Sequence, residues 1–231
     1  MNTRNDGMII CQNIIKNFQN GNMETPVIRD VSLKVEKGEF VALTGKSGSG
    51  KSTLMNMIGL IDTPTSGTIS LAGVDTSRMN DVQRAEIRNK KLGYIFQSFY
   101  LESRYSVFKN IEMPLLISDV PKAERKKRIE ECMEYVGIGK KANQLAETLS
   151  GGEKQRVCIA RALANQPGII LADEPCGNLD SANTTNVMNL LKKLSEAGKT
   201  ILMVTHSMED AQYADRIITL SDGVIVNESR K

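Results

Sequence analysis

Apolar positions in this chain fall into short runs broken by glycine and polar turns, and the spacing of those runs changes along the sequence. Met8–Phe18, Val27–Val35 and Glu39–Leu43 mix β-branched and other apolar residues and predict strands, with Gly21–Asn22 and Lys37–Gly38 as turns. Phe40–Thr44 runs as a strand into Gly45–Thr53, and a helical pattern follows to Leu60. Asp81–Lys91 and Pro121–Gly137 carry the charged pattern of exposed helices, and Leu92–Phe96 that of a short strand. Between Gln97 and Gly139 the Val/Ile signal fades and helix formers dominate, punctuated by Pro114 and Pro121. Strand signals return at Gly168–Ala172, Thr200–Thr205 and Arg216–Leu220, with a helix at Ser181–Ala197. Strands alternating with helices predict an α/β fold on a mostly parallel sheet, and the helical middle predicts an insertion into it. No internal repeat or low-complexity linker interrupts the pattern.

Composition narrows the function classes. The 231 residues suit one domain, or a core with one inserted subdomain. A net charge of +3 is too near neutral for a nucleic-acid coat, and 4% aromatics with no Trp disfavour base stacking. Cys11, Cys132, Cys158 and Cys176 lie far apart, so neither a zinc ribbon nor a disulfide framework is written here. Scattered free thiols suit a reducing compartment. Met1–Gly7 is polar and lacks the apolar core of a signal peptide. Ile169–Ala172 and Ile201–Val204 are strand-length, far below the roughly 20 residues that span a bilayer. Any membrane role is expected to need a partner.

The chemistry concentrates at three places. Gly45-Lys46-Ser47-Gly48-Ser49-Gly50-Lys51-Ser52-Thr53 fits G-x-x-x-x-G-K-[ST], the P-loop. In such a loop backbone N–H groups of Gly48 to Ser52 curl round a β-phosphate, and the following helix offers its positive end. Lys51 reaches the β/γ-phosphates and the Ser52 hydroxyl coordinates Mg²⁺. With Gly at about 7% of residues, the motif arises by chance in roughly one per cent of chains this long. Second, Ile169–Ala172 ends in Asp173-Glu174, at the strand end where open α/β sheets bind ligands. Asp173 is expected to hold Mg²⁺, through water or directly, and Glu174 to polarise an attacking water as general base. Adjacent acids at a strand end are also common solvated loop residues; beside a P-loop the pair predicts an Mg²⁺-dependent nucleotide hydrolase. Third, Leu149-Ser150-Gly151-Gly152-Glu153-Lys154-Gln155-Arg156 precedes the apolar helical run Val157–Ala164. Ser150 and Glu153 form a capping-box pattern, enough by itself for a helix start. Two glycines in a first turn are costly for a cap alone, and suit a terminus that a phosphate approaches closely.

This last segment resembles the signature motif of ATP-binding cassette (ABC) ATPases, and the resemblance extends over nearly the whole chain in the family's order. It implies a single P-loop ATPase domain over 1–231. Within it, 1–96 and 163–231 form the nucleotide-binding core, with an antiparallel β subdomain at the N-terminus, and 97–162 forms the α-helical subdomain. It further implies head-to-tail homodimers that sandwich ATP and Mg²⁺, Ser150, Gly151 and Gly152 of one copy meeting the γ-phosphate on the other's P-loop. Gln97 matches the glutamine that senses Mg²⁺ and γ-phosphate and links to the membrane partner. Asp180, in Gly177-Asn178-Leu179-Asp180, matches an interface residue, and His206 the switch histidine that contacts the γ-phosphate. A lone His ending a strand is more often structural; its place after Thr205 favours the functional role. Phe18 stands where the family stacks an aromatic, commonly Tyr, on adenine, although a strand-ending Phe is often only core.

Two departures stand out. Glu153 replaces the commoner Gln, a variation also seen among exporters, and Cys176 replaces Thr after Asp-Glu-Pro. Cys176 is expected to be tolerated, with altered dimer kinetics or oxidation sensitivity left open. Ala172–Ser181 is similar to the ADEPTGNLDS of the lipoprotein-releasing, macrolide- and peptide-efflux and cell-division ATPases, as are Gly59–Gly67, Gly93–Gln97 and Asn110–Leu115. That subfamily implies a permease with four transmembrane helices and a large extracytoplasmic domain, served from the cytoplasmic face of the cell membrane. Leu101-Glu102-Ser103-Arg104 departs from its Leu-Leu-Pro-like residues, which leaves partner and substrate open. An uptake ATPase, for instance for amino acids, is disfavoured by Gly177-Asn178 and Asn110–Leu115. A soluble ABC ATPase acting on DNA or ribosomes is disfavoured by the single cassette and the short insertion. The basic run Lys122–Arg128 is expected to be a solvated helix face with Glu124–Arg128 paired, contact with anionic lipid being the rarer alternative.

Overall fold

The computed structural model describes residues 7–21 and 23–231. The polar N-terminal residues 1–6 and Asn22 of the expected first turn lie outside them. Among the described residues two sheets form. One is antiparallel, in the order β2 (Met23–Glu36), β1 (Gly7–Asn20), β4 (Ser66–Leu71), β5 (Val74–Asp75). The other runs β10 (Val224–Arg230), β9 (Arg216–Ser221), β3 (Phe40–Thr44), β8 (Thr200–Val204), β7 (Ile169–Asp173), β6 (Leu92–Ile95). Its junctions are parallel except that of β10 with β9.

The parallel sheet is covered on both faces, which is why β3, β7 and β8 read as unbroken apolar runs. Alternation along each strand sorts the side chains. Val41, Leu43, Leu171 and Leu202 join Leu54, Met55 and Ile58 of α1 (Lys51–Ile58), together with Ile9, Ile14 and Ile28 of the antiparallel sheet. Phe40, Ala42, Ile170, Ile201 and Met203 face the opposite core, built by α3 (Val107–Ile117), α4 (Lys122–Tyr135), α5 (Gly151–Leu163) and α6 (Ser181–Glu196). The amphipathic helix α2 (Asp81–Lys91) buries no residue, and a capping box between Asn80 and Gln83 fixes its start.

Pro114 does not end a helix, as its reading as punctuation implied; it lies inside α3. Proline there removes one i→i−4 bond, whose acceptor would be the Asn110 carbonyl. The ring is tolerated because both ends of α3 are held independently. The Ser106 hydroxyl caps the first turn, and the Pro114 carbonyl accepts from Asn165 at 3.1 Å. The basic run lies on α4 as a solvated face. Arg125 pairs with Glu112, Lys126 with Glu130, Lys127 with Glu131 and Arg128 with Glu124. These pairs leave little net positive charge for lipid and contribute little stability individually.

Candidate functional site

The C-terminal ends of β3 and β7 open onto one cleft of about 520 Å³, lined by Ser47, Gly48, Gly50, Lys51, Ser52, Thr53, Gln97, Glu174 and His206, with Val27 from β2. The P-loop thus meets Gln97, Glu174 and His206 across open space. Gly45 and Gly50 have φ of 145° and 100°, which side chains other than glycine's rarely adopt. At Gly45 a Cβ would strike the Leu220 carbonyl, so this glycine answers to the protein's own packing against β9. Gly50 caps α1 without any side-chain bond, leaving the first N–H groups of the helix directed at the cleft. The Lys51 ammonium is nearly buried and donates to the carbonyls of Gly45 and Lys46 at 2.8 and 2.9 Å, folding back over the loop. Lys46 and Ser49 shape the turn, Ser49 N–H donating to the Lys46 carbonyl at 3.2 Å. The Ser49 hydroxyl is buried without a partner.

Asp173 ends β7 with one carboxylate oxygen, Oδ1, buried and unbonded. Burial pushes its carboxyl above the ordinary range and the neighbouring Glu174 adds to this, while the Lys51 ammonium and the Ser52 hydroxyl act the other way. A buried carboxylate oxygen without a partner, beside a hydroxyl, fits a hard cation. Among the described residues no group of three or more His, Cys, Asp or Glu could hold a metal alone. That combination suits Mg²⁺, which takes one or two protein ligands and completes its shell with phosphate oxygens and water.

Glu174 has φ of +47°, a left-handed conformation that is costly for a side chain of this size. Its N–H is bonded to the Val204 carbonyl at 2.9 Å, which holds it at the tip of the strand. The Glu174 Oε2 atom accepts from His206 Nδ1 at 2.7 Å, and His206 is otherwise 69% exposed. Behind them lies Asp210, an acid that sequence reasoning missed. Burial, then the charges of Glu174 and Glu209, push its carboxyl up, with His206 opposing. Cys176 lines the same recess. Its thiol is nearly buried and burial pushes it up to about 12, so it stays protonated, which argues against oxidation sensitivity.

The signature segment does not line this cleft. Ser150 caps α5, and the box closes both ways: Ser150 N–H donates to Glu153 Oε2 at 2.9 Å and Glu153 N–H to the Ser150 hydroxyl at 3.4 Å. Glu153 also forms an ion pair with Lys141 at 2.7 Å, whose charge a neutral Gln would not supply. What approaches Gly152 is a side chain of this chain, because a Cβ there would run into the Asn183 amide. Asn183 is in turn bonded to Asp180 at 2.9 and 3.1 Å, and Asp180 caps α6 by accepting from Asn183 N–H at 2.8 Å. Gly151 faces Leu179 with ordinary space. Gly152→Ala should therefore destabilise the fold by about 1–3 kcal/mol, the usual cost of overpacking, and loosen the Asn183–Asp180 bonds. Urea denaturation checks this, and an unchanged midpoint would contradict it.

Phe18 is likewise outside the cleft lining and 44% exposed. The Lys16 ammonium sits 4.8 Å from its ring centroid, held there by Asp62 at 2.7 Å and the Thr63 carbonyl at 2.8 Å. One face of the ring is therefore taken by a cation, and a base would have to stack on the other.

Comparison with known proteins agrees with this geometry. Residues 28–177 match the ABC transporter family. The chain is 45% identical over 223 residues to the ABC transporter ATP-binding protein YvrO of Bacillus subtilis, covering 96% of this chain and 97% of that one. It is 44% identical over 224 residues to the macrolide export ATP-binding/permease protein MacB of Chlorobaculum tepidum, spanning 97% of this chain but 34% of MacB. The dimeric structure of MJ0796, a bacterial ABC transporter cassette, superposes with a TM-score of 0.89 at 41% identity, over 96% of this chain and 98% of that one. MJ0796 has also been solved as a dimer in a post-hydrolysis state bound to ADP and Pi. On the match over residues 28–177 and these identities, the chain belongs to the ABC transporter family as an ATP-binding cassette and ATPase.

Proposed function

We propose that this cassette powers an exporter or mechanotransducing membrane complex from the cytoplasmic face of the membrane, through closure of a head-to-tail homodimer on ATP. The observation that carries this is the division of the site. The P-loop, Gln97, Glu174 and His206 share one cleft, whereas Ser150–Gly152 stay outside its lining, with Gly151 against Leu179 and Gly152 against Asn183. A second copy, placed head to tail, supplies the missing wall to each cleft.

In this scheme the N–H groups of Gly48 to Ser52 and the Lys51 ammonium hold the β- and γ-phosphates of ATP. Ser52 and Asp173, with Gln97, would hold Mg²⁺, which neutralises the charge of the β- and γ-phosphates when bound. Glu174 takes a proton from the water that attacks the γ-phosphorus, the bond to the bridging β-phosphate oxygen breaks to release ADP and phosphate, and His206, released from Glu174, donates to the γ-phosphate. Asp180 keeps Gly177–Asp180 on the interface by capping α6, and Phe18 offers its free face to adenine.

The membrane partner is proposed to be a permease with four transmembrane helices and a large extracytoplasmic domain; MacB carries a permease by name. No helix among the described residues is long and apolar enough to cross a membrane. A groove of about 650 Å³ between α2, α3 and the segment after Gln97 supports docking there, with Tyr100, Leu101, Met113 and Ile117 on its walls. Ile117 is 72% exposed and stands beside exposed Met113 and Leu116 on α3, a contiguous apolar patch rather than a single residue. Ile117→Asp should reduce co-purification with its membrane partner by about tenfold or more, as truncating a docking hot spot does. ATP affinity should not change. Undiminished co-purification would remove the groove from the proposal.

A further inference from the structure

Gln97 lies just beyond β6, next to Phe96, whose ring stacks on Tyr94 at 4.0 Å and meets Tyr100 edge-on at 5.3 Å. Among the described residues, one side chain bonds its main chain: Asn178 Nδ2 donates to the Gln97 carbonyl at 2.9 Å. The adjacent residue is Gly177, where a Cβ would come within 2.9 Å of Gln97 Nε2. Gly177 and Asn178 thus clasp Gln97 from both ends, one making room for its amide and the other fixing its backbone. The same turn carries the general base, since Gly177 N–H donates to the Glu174 carbonyl at 3.0 Å. Further along, Arg161 of α5 donates to the carbonyls of Phe99 at 2.9 Å and Tyr100 at 2.5 Å, and Cys158 to that of Phe99 at 3.1 Å. Tyr100 has φ of +44°, so this stretch is held in a conformation it would not adopt freely.

We propose that Asn178 is a positioning residue for Gln97: its amide, acting on the Gln97 carbonyl, sets where the Gln97 side chain stands relative to Glu174. The proposal rests on Gln97 facing the metal and γ-phosphate. Position 178 is suited to the task because Asn supplies an N–H donor, which Asp at the same size would not.

The test uses the full chain with Asn178→Asp, Gln97→Ala and the double variant. A fluorescent ATP analogue reports the Mg²⁺ concentration for half-maximal binding, and amide exchange is followed at residues 98–100. Asn178→Asp should raise that concentration about three- to tenfold, the equilibrium weight of one hydrogen bond. It should leave binding without Mg²⁺ unchanged and speed exchange at residues 98–100. In the Gln97→Ala background it should add nothing further, since both changes act on one group. A full additional shift in the double variant, or no shift and no faster exchange in the single one, would overturn the proposal. If Gln97→Ala itself leaves the Mg²⁺ dependence alone, the assignment of Gln97 to the metal fails; exchange at residues 98–100 then decides the clasp by itself. Should Asn178→Asp fold poorly, Gly177→Ala, which displaces the Gln97 amide and keeps Asn178, must give the same Mg²⁺ shift.

Discussion

Lys51→Ala should lower ATP affinity by at least about a hundredfold and abolish turnover, the loss expected when two charge-assisted hydrogen bonds to phosphate disappear. Lys51 is nearly buried, and its ammonium already sits within the loop, bonded at 2.8 and 2.9 Å to the carbonyls of Gly45 and Lys46. Those carbonyls hold the cation where a phosphate would arrive, so little rearrangement separates the present geometry from the binding one. Alanine leaves the two carbonyls to water and does not disturb the core, because α1 is anchored by Leu54, Met55 and Ile58. The unfolding midpoint should therefore move little while the binding isotherm flattens. Isothermal titration with ATP, paired with thermal unfolding, makes the separation. Retained affinity would contradict the assignment of the loop.

Residues whose chemistry demands a particular backbone were the legible ones. A phosphate cradle needs glycines and a lysine at set spacing, and an apolar strand ending in Asp173-Glu174 can be recognised because burial on both faces removes polar alternation. The alternation of Val41 and Leu43 against Phe40 and Ala42 then places the sheet between two cores. What escaped was set by contacts distant in sequence. β4, β5 and β10 gave no clear signal because β4 buries only Ile69 and Leu71, β5 is two residues long, and β10 lies exposed at the edge of its sheet. α3 was obscured by Pro114, whose lost hydrogen bond is tolerated only because Ser106 and Asn165 hold the helix at either end. The glycines of the signature were expected to admit a phosphate. Gly152 is also required by Asn183, which lies thirty-one residues away and bears no sequence mark of that contact. Asp210 and the bond from Asn178 to Gln97 went unnoticed for the same reason, since their partners are assembled only by the fold.

Glu174→Gln should reduce turnover by about a hundred- to ten-thousandfold, the range lost when a general base is removed, while leaving ATP binding intact. The two side chains have the same shape. The left-handed backbone at position 174 is held by the bond from its N–H to the Val204 carbonyl at 2.9 Å, which the substitution does not touch. The amide oxygen can still accept from His206 Nδ1, now 2.7 Å from Glu174 Oε2, but cannot take a proton from water. Substitution also removes a negative charge directly beside the expected position of the γ-phosphate, and the closed dimer gains from losing that repulsion. Binding and hydrolysis are thereby uncoupled: ATP closes the clefts and nothing reopens them. In gel filtration with ATP and Mg²⁺ the variant should elute at roughly twice the 25.5 kDa of the single chain, and return to the monomer position when nucleotide is removed. Hydrolysis at the unsubstituted rate would strip Glu174 of the base role. A chain that binds ATP yet stays monomeric, even beside its membrane partner, would break the link between the divided site and the homodimer, and each half of the site would then need another source for its missing wall.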